Sequence, residues 1–85
     1  MKMLIKVYGP GCNRCQRAYQ VMQEAVIQSG ADACVEKVDD VQEMVKAGVF
    51  ATPLITINGK SVASARVPKV AEAVSWIMNA LVEEE

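Results

Sequence analysis

Eighty-five residues, 52% of them hydrophobic, make a single domain over 1–85 with little room for a second core. Nine Lys and Arg are scattered among ten Asp and Glu, for a net charge of −1, so neither nucleic acid nor an anionic membrane is an expected partner. No apolar run approaches the ~18 residues of a membrane span, and Met1 to Tyr8, interrupted by Lys6, is too short for a signal peptide, which points to the cytoplasm.

Lys2 to Tyr8 reads as a strand, rich in branched residues and ended by Gly9-Pro10-Gly11. From Cys12 the hydrophobic period changes from two to 3.6. Cys15, Ala18, Tyr19, Met22, Ala25, Val26 and Ser29 share one face of a helix, with Gln16, Arg17, Gln20, Gln23 and Glu24 opposite. Gly30 is placed to end that helix as its C′ residue. Ala33 to Val38 is a second strand. Asp40 with Glu43 three residues on resembles a capping box opening a short helix over Val41–Ala47, and Gly48 stops it. Leu54–Ile57 and Ser61–Ala65 flank Asn58-Gly59, the pair that supplies both positive-φ residues of a type I′ hairpin. A last helix has Pro68 in its first turn and a predicted buried face of Val70, Ala71, Val74, Ile77, Met78 and Leu81. Glu83 to Glu85 reads as a solvated end.

The order is βαβαββα. A βαβ start demands parallel strands joined by a right-handed crossover, and the hairpin adds two antiparallel strands. The expected architecture is α/β: a four-stranded mixed sheet with helices on both faces.

Chemistry concentrates at Cys12-Asn13-Arg14-Cys15. Two thiols three apart on a helix lie on one face with Cα atoms about 5 Å apart, within disulfide range. A bridge that short is a poor staple, at ~2 kcal/mol in the chain-entropy account against ~3 for a 15-residue loop. Redox exchange is the better reason for it. Cys12, at the helix tip, is the expected attacking thiol, because unpaired N–H groups, the positive dipole end and the Arg14 cation all favour its thiolate. Cys15, one turn deeper, is the expected resolving thiol. The competing reading is a metal knuckle, but zinc commonly takes four ligands and this chain has no His; a site shared between two copies is the form it would take. Cys34 is expected to be a buried, apolar, structural cysteine; the alternative is an exposed edge-strand thiol open to an intermolecular disulfide or glutathionylation. Arg14 is either a tuner of the thiol or a solvated helix residue, and Lys6 either snorkels or approaches the dithiol. Tyr8 either packs or sits beside the site, while Trp76 and Met78 are read as packing.

Gly9-Pro10-Gly11-Cys12-Asn13-Arg14-Cys15 after the first strand and Thr52-Pro53 before the third resemble the thioredoxin/glutaredoxin superfamily, and in particular its small thioredoxin-like redox proteins. The resemblance runs over nearly the whole chain and implies the thioredoxin-like fold. It further implies that Pro53 is cis, that Thr52 offers its backbone to a bound polypeptide, and that Gly11 allows the close approach a substrate chain needs. The implied function is reduction of protein disulfides through the Cys12/Cys15 dithiol, with no organic cofactor or metal, by a monomer reloaded by a separate reductase. The alternative is a thioredoxin-fold module that binds a metal or a partner with little turnover. Three departures stand out. Thioredoxins usually have Trp where Gly11 stands, Gly-Pro where Asn13-Arg14 stand, and a buried Asp at the position of Lys6. Ala65-Arg66-Val67-Pro68 lacks the Gly-Gly pattern with which glutaredoxins hold glutathione.

Overall fold

The computed structural model describes residues 3–10, 13–49 and 51–83. The elements follow the expected order: β1 Met3–Tyr8, α1 Asn13–Ser29, β2 Ala33–Val38, α2 Val41–Lys46, β3 Leu54–Ile57, β4 Lys60–Ser64 and α3 Val70–Glu83. The sheet runs β2-β1-β3-β4, with β1 parallel to β2 and antiparallel to β3, and β3 antiparallel to β4.

Alternation along β1 sends Met3, Ile5 and Val7 to one face, where they are buried with Ile55, Ile57 and Ala63 under Ala18, Met22 and Ala25 of α1 and Ala73 and Ile77 of α3. The two long helices also pack on each other. Leu4, Lys6 and Tyr8 point to the opposite face. There they line a cleft with Leu54, Thr56 and Ala47, the C-cap of α2.

Local chemistry explains the boundaries. Gly30 ends α1 at φ +70, a conformation that costs glycine little. The Asp40 carboxylate accepts from the Gln42 N–H at 2.9 Å, and Glu43 turns to Lys46 at 3.9 Å. Asn58 and Gly59 take φ 52 and 86, as the type I′ turn requires. The Asn58 side chain also accepts from the Leu4 N–H, which ties the hairpin tip to β1. A bulge between Ile55 and Thr56 leaves Val62 extra in β4, so Val62 and Ala63 both lie against the core.

Three expectations are corrected. Pro68 is not in the first turn of α3. It is buried ahead of the helix, and Lys69 is the N-cap, its carbonyl accepting from the Ala73 N–H at 3.1 Å. Glu72 fixes that start by reaching back to the Lys69 N–H at 3.2 Å, the returning limb of a capping box. The buried face of α3 is also rotated. Ala73 and Ile77 are its centre, whereas Ala71 and Met78 are exposed. At 3.6 residues per turn those two lie about 100–120° from Ile77, off the stripe of Val70, Ala73, Val74, Ile77, Ala80 and Leu81. Finally, Cys34 is exposed rather than buried. It sits opposite Leu4 in the register, on an edge strand and on the face away from α1, beyond the reach of a six-residue α2.

Glu72, half-buried, accepts from a side chain and from a backbone N–H. Arg66 donates to its two oxygens at 3.2 and 3.1 Å while lying 5.6 Å from the centre of the Trp76 ring. The Arg66 hydrogen bond, aided by the Lys69 N–H, holds the Glu72 carboxyl below its ordinary pKa. A depressed acid stabilises the fold fully above its unfolded value of about 4.3, and that stability is lost as pH falls through the lower folded value. Glu72→Gln should therefore lose less of its urea midpoint between pH 6 and pH 3 than the wild type does; equal losses would contradict the assignment. The phase of α3 is tested separately. Ala73→Leu should cost about 1–3 kcal/mol by overpacking, and Ala71→Leu should stay within about 0.5 kcal/mol, both read from urea unfolding.

Candidate functional site

The strand register gathers the candidate residues. Tyr8 pairs with Val38 and with Leu54, and Leu54 pairs with Ser64, so all four lie at one end of the sheet. The segment after β1, the segment before β3 and the segment after β4 therefore emerge together, at the carboxyl ends of the two parallel strands. Open α/β sheets carry their ligand sites at that end.

Gly9 leaves β1 with its N–H on the Val38 carbonyl at 2.9 Å. A Cβ at Gly9 would overlap Cys15 Sγ and stand 2.7 Å from Cys15 Cβ, closer than side chains pack. Glycine is required here for approach, not for an unusual φ. Cys15 is 1% exposed, and Ala18, Met22 and Ala25 continue its face into the core. The first turn of α1 carries no acid, so nothing there offsets the positive end of the helix dipole. Gly11 and Cys12 lie outside the described residues.

The Thr52–Pro53 peptide is cis, as the family resemblance implies. Pro53 is buried and Thr52 half-buried. The Pro53 carbonyl accepts from the Ala65 N–H at 2.9 Å, and the Ala65 carbonyl in turn accepts a hydrogen bond from the Arg14 guanidinium. Arg14 thus faces the turn after β4. Ala65 takes φ 61, a left-handed conformation that a non-glycine residue adopts at a cost of order 1–2 kcal/mol. Sequence reasoning missed Ala65 because its part is played by backbone atoms and alanine has no liking for that φ. From sequence, Ala65 reads as the last residue of the fourth strand, which closes one residue earlier, at Ser64.

Lys6 and Tyr8, both half-buried, line the cleft on the α2 side of the sheet together with Val38, Glu43, Lys46 and Ala47. Their side chains share that face and not the face on which Cys15 is packed. Among the described residues, no three His, Cys, Asp or Glu side chains cluster to hold a metal. No helix among them is long and apolar enough to cross a membrane.

A cis-proline ahead of the third strand, and a cysteine sealed beneath a helix that starts at the carboxyl end of the first, define a protein of the thioredoxin-like fold. The family model for the thioredoxin domain matches residues 3–78, and the chain belongs to that family. It is 34% identical over 70 residues to a thioredoxin of Methanocaldococcus jannaschii, covering 82% of this chain and 80% of the relative. It is 36% identical over 58 residues to a thioredoxin of Methanothermobacter thermautotrophicus, covering 68% and 75%. Among solved structures, thioredoxin-2 of the malaria parasite superposes with a TM-score of 0.72 over 92% of this chain and 82% of its own, at 16% identity. A Staphylococcus aureus protein of unknown function gives 0.71 over 100% and 95%, at 17% identity.

Gly9→Ala should push Cys15 and the first turn of α1 off the end of β1. The expected cost is ~1–3 kcal/mol in urea unfolding; an unchanged midpoint would show that the approach is not constraining.

Proposed function

We propose that the protein is a thiol–disulfide oxidoreductase that reduces disulfides in other proteins through Cys12 and Cys15. The observation that carries this reading is the sealed Cys15, packed on Gly9 at the carboxyl end of β1 and three residues after a second cysteine in the sequence. The thioredoxins among its relatives support the same class.

In the proposed cycle the Cys12 thiolate attacks one sulfur of the substrate disulfide, forming a mixed disulfide and expelling the other substrate sulfur as a thiolate that takes up a proton. Cys15 then loses its proton and attacks Cys12 Sγ. The second substrate thiolate leaves, and the Cys12–Cys15 disulfide holds the oxidation equivalent of the two electrons delivered. Cys15 is sealed from solvent, so an incoming substrate disulfide meets Cys12 first in this cycle. That division makes Cys12 the entry point and Cys15 the release step. Thr52 would lend its backbone to the substrate chain beside Pro53, and Gly11 would let that chain come close. The partners are disulfide-bearing proteins and a reductase that restores the dithiol. We place the reaction in the cytoplasm and assign it to a monomer of one domain, with neither metal nor organic cofactor.

Turnover is read by dithiothreitol-driven reduction of insulin. Wild type should accelerate it, Cys12→Ser should fall to the uncatalysed rate, and Cys15→Ser should accumulate a covalent mixed disulfide with insulin that excess dithiol releases. Cys34→Ser should turn over like wild type. No acceleration by wild type with both thiols reduced would sink the proposal.

A further inference from the structure

Arg14 occupies one of the two positions between the cysteines, yet its guanidinium is committed to a backbone carbonyl 51 residues away. It donates to Ala65 O, and Ala65 donates through its N–H to Pro53 O at 2.9 Å. A continuous chain of hydrogen bonds therefore runs from the first turn of α1, through the left-handed residue after β4, to the cis-proline. Both faces of the Ala65 peptide backbone are used, one toward the dithiol helix and one toward the proline segment. The Ala65–Pro53 bond continues the register of the last paired residues, Leu54 and Ser64, by one step, and the Arg14 bond fastens that end of the hairpin to α1. A residue at φ 61 without the freedom of glycine stays there only when its surroundings hold it.

We propose that Arg14 is a positioning residue. It fixes the Ala65 turn and, through it, the Pro53 segment against the dithiol helix, so that the surface receiving the substrate's polypeptide chain is formed before binding. The inference rests on the disulfide reductase reading above and adds a role that charge near Cys12 does not require. Preorganising a binding wall lowers the ordering that a substrate must impose. Its loss therefore falls on KM, whereas loss of a charge that stabilises the thiolate falls on the thiol titration and on the attack rate.

The test is Arg14→Ala, with three measurements on the whole chain. The first is amide hydrogen exchange at Ala65, which reports the bond to Pro53 without any turnover. The second is KM and kcat for a polypeptide disulfide such as insulin. The third is the thiol titration of Cys12 in the reduced protein. The expected result is faster exchange at Ala65 and a KM raised roughly fivefold to tenfold, with kcat held within about twofold and the Cys12 titration unmoved. Unchanged exchange at Ala65 would overturn the tie itself, and faster exchange with unchanged KM would overturn its role. A shifted Cys12 titration with a lower kcat and an unchanged KM would reassign Arg14 to tuning the thiol and overturn the proposal. Should wild type reduce no disulfide while Ala65 exchange responds to the substitution, the oxidoreductase reading fails and the role of Arg14 fails with it, but the tie stands.

Discussion

Contact between Gly9 and Cys15 decides where the first helix lands. The chain leaving β1 passes so close to the first turn of α1 that no side chain fits between them, and the sulfur of Cys15 fills the space a Cβ would need. Once that turn is seated, the 3.6 period carries Ala18, Met22 and Ala25 down over the sheet face of Met3, Ile5 and Val7. The small residues matter as much as the large ones. Ala18, Ala25 and Ala73 are fully buried where α1 and α3 pack together over the sheet. An 85-residue chain buries a modest fraction of its surface, so close approach of helix to helix is how it reaches interior packing density. The buried thiol is thus part of the core and part of the candidate site at once.

Much of the fold was legible because single residues impose it. Asn58-Gly59 specifies the hairpin through two positive φ values, Gly30 closes α1 by the same freedom, and Asp40 caps α2 with its own carboxylate. The phase of α3 was less legible. Val70 to Leu81 is rich in apolar residues all round, so hydropathy alone admits a stripe containing Ala71 and Met78. The choice was made by Glu72 reaching back to Lys69 and by the fit of Ala73 where α3 packs on α1 and the sheet, neither of which periodicity reveals. Cys34 failed for a related reason. Alternation in β2 separates two sets of side chains without saying which face a later helix covers, and α2 is too short to reach that strand's outer face.

At the candidate site the sequence displayed the side chains that the proposed reaction uses and concealed the backbone around them. Cys12, Cys15 and Thr52-Pro53 stand out by type and spacing. Ala65 does not, because its carbonyl and N–H are groups every residue has. Arg14 illustrates the difference. Its charge and its place beside Cys12 in sequence left a choice between thiol tuning and a solvated helix residue, and neither anticipates the bond of its guanidinium to Ala65. A long, forked side chain reaches well beyond its own turn, and sequence distance is a poor guide to where it acts.

The segment between β4 and α3 has no regular structure of its own, and two arginines anchor it at adjacent residues. Ala65 is held to α1 by Arg14, while Arg66, the next residue, is held to α3 by Glu72 and Trp76. Because α1 and α3 pack on each other, both anchors belong to one rigid pair of helices. The anchors differ in chemistry. The Arg14 bond is to a backbone carbonyl and needs no carboxylate, so that anchor holds through acid. The Arg66 anchor depends on the Glu72 carboxylate and weakens once that group is protonated. Acid should then loosen the Arg66 anchor at the start of α3 before it frees the Ala65 turn, which leaves the Ala65–Pro53 bond in place while the neighbouring anchor lets go.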